Sequence, residues 1–267
     1  NRISVKDLYL QISSMGDEKP GIVEGNDLPD FNPDDEYLKE VKSPIFYAVQ
    51  KNINIQTGQP TVMEFDMQRI SQRINIIFNI RTEGNIKKED LSAPIIELSG
   101  TCGRFNISDA CLDTTRLYRT VHQVQPDEFT QTGEGTYRCA VHFHTLGIIP
   151  SAAKGHLNGP GILQVALQVS TPQLDAAGAP VLDADGNPVK NSRYIYGAIN
   201  PYDELTAAQL IEVRDGKTYL RYSKEDVNIE ITTPLVIKAD KIVPNDTGMG
   251  WQPHDPSNPD DDIIIEI

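Results

Sequence analysis

The stretch CAVHFHTLG, residues 139–147, places a cysteine and two histidines within six positions. Thiolate and imidazole are ligands of zinc, and a Cys–His pair can also form a thiol nucleophile. Whether either chemistry is open depends on how the side chains face. In an extended chain alternate side chains point to opposite sides. Cys139, Val141 and Phe143 then share one face, and Ala140, His142 and His144 share the other. Cys139 points away from both imidazoles. His142 and His144 could ligate one metal from a single face, but the strand carries no Asp or Glu in phase, so a third ligand must come from another strand. The expectation is a core strand with two outward histidines, no metal and no catalytic group.

The other constellations fail similar tests. LDADGNPV resembles a calcium loop, but with Gly186 in the glycine position the first ligand falls on Val181, and no Glu follows at the required distance. A hairpin turn at Asp185–Gly186 is expected instead. The acidic runs NPDDD and NPDDEYLKE could bind calcium weakly through oxygen ligands, but solvated loop charge is the expectation. No G-x-S-x-G is present, and GPG at 159–161 contains proline and precedes a strand, so it is no phosphate loop. Tyr194, Tyr196, Tyr202, Tyr219 and Tyr222 could form a sugar-stacking surface, but strand packing explains them as well. Cys102 and Cys111 could pair across a short loop, leaving Cys139 alone; whether they are bonded is open from sequence. No cofactor is expected, and an enzyme ranks third among the functional classes, behind a structural subunit and a ligand-binding module.

The charge narrows the partners. With 24 Lys and Arg against 38 Asp and Glu, the 267 residues carry a net charge of −14. Such a surface repels phosphate backbones, so no nucleic-acid partner is expected. The longest apolar runs, such as INIIFNI and IIIEI, fall far short of the ~20 residues of a membrane helix.

What must position these groups is a set of strands. Period-two alternation predicts seven from Arg73 onward: 73–81, 94–101 (broken at Gly100 and Gly103), 119–125, 136–146, 161–169, 192–199 and 226–238. Seven short strands separated by turns make one β-sandwich. Residues 1–70 carry three or four more, in RISVKDLYLQIS, SPIFYAVQKNINIQ and TVMEFDMQR, enough for a smaller sandwich. A helical turn is expected at PDDEYLKE, and one short helix at TAAQLIEVRD with Thr206 as its N-cap. The predicted organisation is all-β, with an N-terminal unit at 1–70 and a C-terminal sandwich at 71–267.

Residues 44–170 carry a family resemblance. VMEFDMQRISQRINIIFNI resembles the transition in Bacteroidales fimbrillin-like and FimB-type fimbrial anchor lipoproteins. There an alternating strand leads through an arginine, here Arg69 or Arg73, into the first strand of the C-terminal sandwich, here with Ile74, Ile76 and Phe78. IIELSGTCGRFNISDACLDT is similar to the family's next strand and loop. YRCAVHFHTLGI is similar to the strand ending in a Leu146–Gly147 turn, and ILQVALQVS to the strand after it. The resemblance implies two tandem transthyretin-like Greek-key sandwiches. It also implies export to the cell surface as an outer-membrane lipoprotein or fimbrium, where a lipid anchor makes the only membrane contact. It implies a pilus subunit or anchor whose partners are other fimbrial subunits, joined by strand addition, with host or bacterial surface ligands as further partners. The alternative class is a surface glycan- or ligand-binding sandwich lipoprotein.

Strand addition needs a donor. The terminal DDDIIIEI has Ile263, Ile265 and Ile267 on one face and Ile264 and Glu266 on the other, behind a polar linker. These five residues are expected either to close the chain's own sandwich or to enter another subunit's.

Overall fold

The computed structural model describes residues 8–13, 37–39, 41–50, 53, 57–84, 86–222, 224, 226–239 and 241–254. In chain order the elements are β1 (Tyr9–Gln11), β2 (Phe46–Tyr47), β3 (Gln68–Arg69), β4 (Gln72–Glu83), β5 (Ile95–Asn106), β6 (Cys111–Gln123), β7 (Phe129–Gly133), β8 (Thr136–Thr145), β9 (Leu163–Pro172), β10 (Lys190–Ile199), α1 (Tyr202–Ala208), β11 (Ile211–Arg214), β12 (Lys217–Leu220), β13 (Asp226–Lys238), β14 (Lys241–Val243) and β15 (Gln252–Pro253). A 3-10 turn at Lys88–Asp90 lies between β4 and β5.

The strands form an all-β sandwich. One sheet runs β11-β12-β6-β5-β9-β10-β15, with β1 also paired to β5; the facing sheet runs β14-β13-β4-β8-β7. β4 is central in the second sheet because its alternate residues are all apolar: Ile74, Ile76, Phe78 and Ile80 are fully buried. They pack with Tyr137, Cys139, Val141 and Phe143 of β8 and with Ile229, Ile231, Leu235 and Ile237 of β13. Across the core they meet Ile96, Leu98, Leu163, Val165, Leu167 and Ile195. Trp251 plugs one side, its ring 5.2 Å from that of Phe78 and its Nε1 donating to the Thr233 carbonyl at 3.0 Å. β13 pairs with β4 in parallel, Asp226 opposite Arg73, whereas β8 pairs with β4 antiparallel.

All seven strands expected from residue 73 onward are present. The predicted break at Gly100 and Gly103 is a bend within one strand. β5 runs through both glycines with two register shifts, at Leu98/Thr101 and Cys102/Arg104. Gly100 has φ +79°, a conformation that glycine adopts without steric cost. The bend takes Cys102 and Phe105 out of the main core into a second one, with Ile70, Leu112, Leu146 and Leu220. Leu10, Ile12, Ile45 and Tyr47 pack onto this second core, so the described N-terminal residues lie against the bent end of β5. Tyr9, Leu10 and Gln11 pair there with Asn106, Phe105 and Arg104.

Of the two helical expectations, the turn at PDDEYLKE lies outside the described residues except at 37–39, and the short helix is corrected. In PDDEYLKE, Tyr37 and Leu38 are bridge residues, with Tyr37 parallel to Arg119 and the Leu38 N–H bonded to the Arg119 carbonyl at 2.9 Å. The short helix begins earlier than expected, capped by Pro201, and ends at a left-handed Gln209. Thr206 is therefore inside it, and Ile211–Arg214 is the first strand of a hairpin. The β-branched Ile211 and Val213, followed by a turn at Asp215 and Gly216 with φ +50° and +71°, favour strand over helix.

Candidate interaction surfaces

β8 takes the facing expected of it. Cys139, Val141 and Phe143 are buried, while His142 and His144 lie on the other face. The structure then adds neighbours that the strand alone could not announce. The β6–β7 connection crosses from one sheet to the other and carries Glu128 over the open side of β8. His122, near the end of β6, donates from Nε2 to Glu128 Oε2 at 2.7 Å. His142 Nδ1 is 3.6 Å from the other carboxylate oxygen. The same carboxylate accepts the Gln125 N–H at 2.8 Å, so Glu128 ties down its own turn. The rings of His122 and His142 are 6.0 Å apart, and those of His142 and His144 5.8 Å. Among the described residues no group of three or more His, Cys, Asp or Glu could hold a metal ion.

The cysteines are all free thiols, so the Cys102–Cys111 pair that spacing allows is not formed. Burial pushes the thiols of Cys102 and Cys139 up to about 12, which holds both in the unreactive protonated form.

LDADGNPV is a turn, and it is one of two. Residues 174–181, LDAAGAPV, and 182–189, LDADGNPV, repeat both sequence and geometry between β9 and β10. In each the aspartate Oδ1 accepts two backbone N–H groups: Ala177 and Ala179 on Asp175, Asp185 and Asn187 on Asp183. Each turn closes through a left-handed glycine, Gly178 at φ +81° and Gly186 at φ +82°. The Asn187 N–H, aided by those of Asp185 and Gly186, holds the Asp183 carboxyl below its usual range. The octet repeat was readable in the sequence, and self-comparison at a spacing of eight would have found it.

The tyrosines do not form one platform. Tyr194 and Tyr196 stack at 6.4 Å on the outer face of the first sheet, packed with Tyr37, Ile95 and Ala166. Tyr219 lies under Arg214, 4.5 Å from the guanidinium carbon, and Tyr222 packs on the second core. Beside the tyrosine stack, Glu97 is fully buried. It accepts from the Tyr37 hydroxyl at 2.7 Å and from Arg119.

Among the described residues the largest concentration of exposed apolar side chains lies on an arm between residues 46 and 69. β2 and β3 are joined by only two pairs, Phe46 with Arg69 and Tyr47 with Gln68. Beyond them the two segments splay around a groove of about 370 Å³, lined by Tyr47, Ala48, Val49 and Gln50 on one side and Glu64, Phe65, Asp66 and Gln68 on the other. Residues 61–67, expected as a strand from their alternation, carry no strand and join no ladder. Among the described residues their main chain makes no hydrogen bond. Phe46, Val49, Ile53, Val62, Met63, Phe65 and Met67 are all exposed, Val62 by 86%. The arm is anchored at its base, where the rings of Tyr47 and Phe105 meet edge to face at 5.2 Å and the Ile70 N–H donates to the Ile45 carbonyl at 2.8 Å.

The predicted donor or closing residues, Ile263, Ile264, Ile265, Glu266 and Ile267, lie outside the described residues. Among the described residues no helix is long and apolar enough to cross a membrane. Compared with known proteins, the chain matches no family model, no curated protein and no solved structure.

Proposed function

We propose that this chain is a non-enzymatic structural or adhesion subunit of the cell surface, a fimbrial subunit or anchor that assembles by β-strand addition. The observation that carries this reading is the arm. Seven exposed apolar side chains on two segments joined by only two pairs are what an unfinished sheet presents. An incoming strand would supply main-chain partners to residues 61–67 and cover Phe65 and its neighbours, the logic of β-augmentation. Natural proteins seldom leave such an edge open, because it templates aggregation.

In this reading the arm belongs to a smaller N-terminal sandwich, residues 1–70, that a partner strand completes. Residues 71–267 form the second of two tandem transthyretin-like Greek-key units. The donor segment is the terminal run of Ile263, Ile264, Ile265, Glu266 and Ile267, entering a neighbouring subunit or closing its own. The chain is exported, and a lipid group rather than a spanning segment holds it to the outer membrane.

The test is a photo-crosslinking amino acid in place of Phe65, incorporated in the producing cell. The expected product joins position 65 to an extended terminal segment of another surface subunit, mapped by mass spectrometry. Monomer alone, with a folded arm, refutes the reading. Deleting 258–267 with stability and assembly both unchanged would remove the tail from it.

A further inference from the structure

We infer that the arm's groove takes a cationic strand from a distinct partner, one that alternates apolar residues with Lys or Arg, and not the acidic tail of another copy of this chain. The inference rests on the arm being a strand-receiving site and names the chemistry of what it receives.

The charges on the arm carry the argument. When residues 61–67 pair as a strand, alternation puts Val62, Glu64 and Asp66 on one face and Met63, Phe65 and Met67 on the other. Both acidic residues line the groove. Both are exposed, and neither carboxylate has a cationic partner among the described residues. A strand laid beside 61–67 places its side chains in register with these, so two alternate residues meet the carboxylates of Glu64 and Asp66 and the residues between meet Met63, Phe65 or Met67. Opposite charges across a strand pair stabilise it, and like charges directly opposite destabilise it. The best-fitting occupant is therefore apolar at one set of alternate positions and cationic at the other.

The chain's own tail has the wrong sign. NPDDDIIIEI brings Asp260, Asp261, Asp262 and Glu266 toward Glu64 and Asp66. A second copy also brings a net charge of −14 against the same charge. Like-charge juxtaposition of this kind excludes wrong partners and steers oppositely charged ones in.

The experiment uses the full chain and four fluorescent peptides, read by anisotropy. One is acetyl-Ile-Lys-Val-Lys-Ile-Lys-Val-amide. The second has Glu for each Lys. The third has the same composition as the first with the alternation broken, which controls for non-specific attraction to an acidic protein. The fourth is the tail, residues 258–267. The alternating Lys peptide should bind at least about tenfold more tightly than the other three, a difference of about 1.4 kcal/mol. The double variant Glu64→Lys/Asp66→Lys, at exposed positions with no partner to lose, should reverse the preference toward the Glu peptide.

Three results overturn the inference. They are a tail peptide that binds as tightly as the Lys peptide, equal binding of alternating and scrambled peptides, or a double variant that leaves the ranking unchanged. In the first case strand addition survives and only the partner's chemistry is wrong. Failure of all four peptides to bind overturns the inference and the strand-receiving reading together.

Discussion

Replacing Tyr37 with Phe removes one oxygen and tests how the N-terminal segment is held to the sandwich. Tyr37 is 7% exposed and its hydroxyl donates at 2.7 Å to Glu97, whose side chain is fully buried. Phenylalanine keeps the ring and its packing near Ile95 and Ala166, so little apolar burial is lost. What is lost is a charge-assisted hydrogen bond to a carboxylate that water cannot reach. Such bonds contribute about 1.5–3 kcal/mol. Arg119 continues to donate to the other oxygen, which places the expectation at about 2 kcal/mol within that range. For a chain of this size each kcal/mol moves Tm by roughly 2–4 °C, so a fall of roughly 4–8 °C is expected. Main-chain bonds from Leu38 to Arg119 and from Lys39 to Ser13 should keep the segment attached, so the loss measures the hydrogen bond and not detachment. Differential scanning calorimetry and urea unfolding at neutral pH give the number. A change within about 0.5 kcal/mol, the usual range for surface substitutions, refutes the claim that Tyr37 completes a buried ionic cluster.

Two further predictions concern the bend in β5 and the thiols. Gly100→Ala forces a Cβ to 2.6 Å from the Gly161 nitrogen and 2.7 Å from the Ile149 oxygen, at φ +79°. It should cost at least about 2 kcal/mol from strain and overpacking together. Gly178→Ala has nearly the same φ in open space and should cost only about 1 kcal/mol, which equal losses in denaturant melts would contradict. The thiols of Cys102 and Cys139, pushed up to about 12 by burial, should resist aromatic disulfide reagents at pH 8 until the protein unfolds. Fast labelling of either in the native state, or a non-reduced mass two protons short, contradicts the assignment.

Seven strands from residue 72 onward were legible from their apolar patterning, whereas β7, β11, β12, β14 and β15 were not expected. In β4 and β8, apolar residues fall at every second position, and a one-residue slip would expose the whole set. The hairpin at 211–220 was missed although Asp215–Gly216, a strong turn signal, stands between its strands. The run TAAQLIEVRD offers several good helix formers, and tertiary pairing with β6 through Thr218 and Leu112 overrode them. Residues 61–67 were expected as a strand, and they join no ladder. Alternation over 61–67 describes two faces of a segment and says nothing about whether a neighbour is present to bond with it.

The candidate sites divide in the same way. That His142 and His144 leave the core together with no ligand on their own strand could be argued from residue types and period alone. The approach of Glu128 and His122 could not, because it depends on a crossover between two sheets at the open side of β8. The buried Glu97 was equally hidden: its partners lie 60 residues before it at Tyr37 and 22 after it at Arg119.

By itself the sequence determined the all-β character, the inward and outward faces of the principal strands, and the acidity that sets which partners are repelled. These follow from local periodicity and from summed charge, neither of which needs coordinates. Tertiary structure alone decided that β13 lies parallel to β4, with Asn75 bonded to Asn228 across 153 residues, that β5 bends from one core into a second, and that the arm is joined by only two pairs at its base. A side chain's face is fixed by the geometry of its own backbone. Its neighbours are chosen by the packing of the whole chain, where many distant segments compete for the same edge.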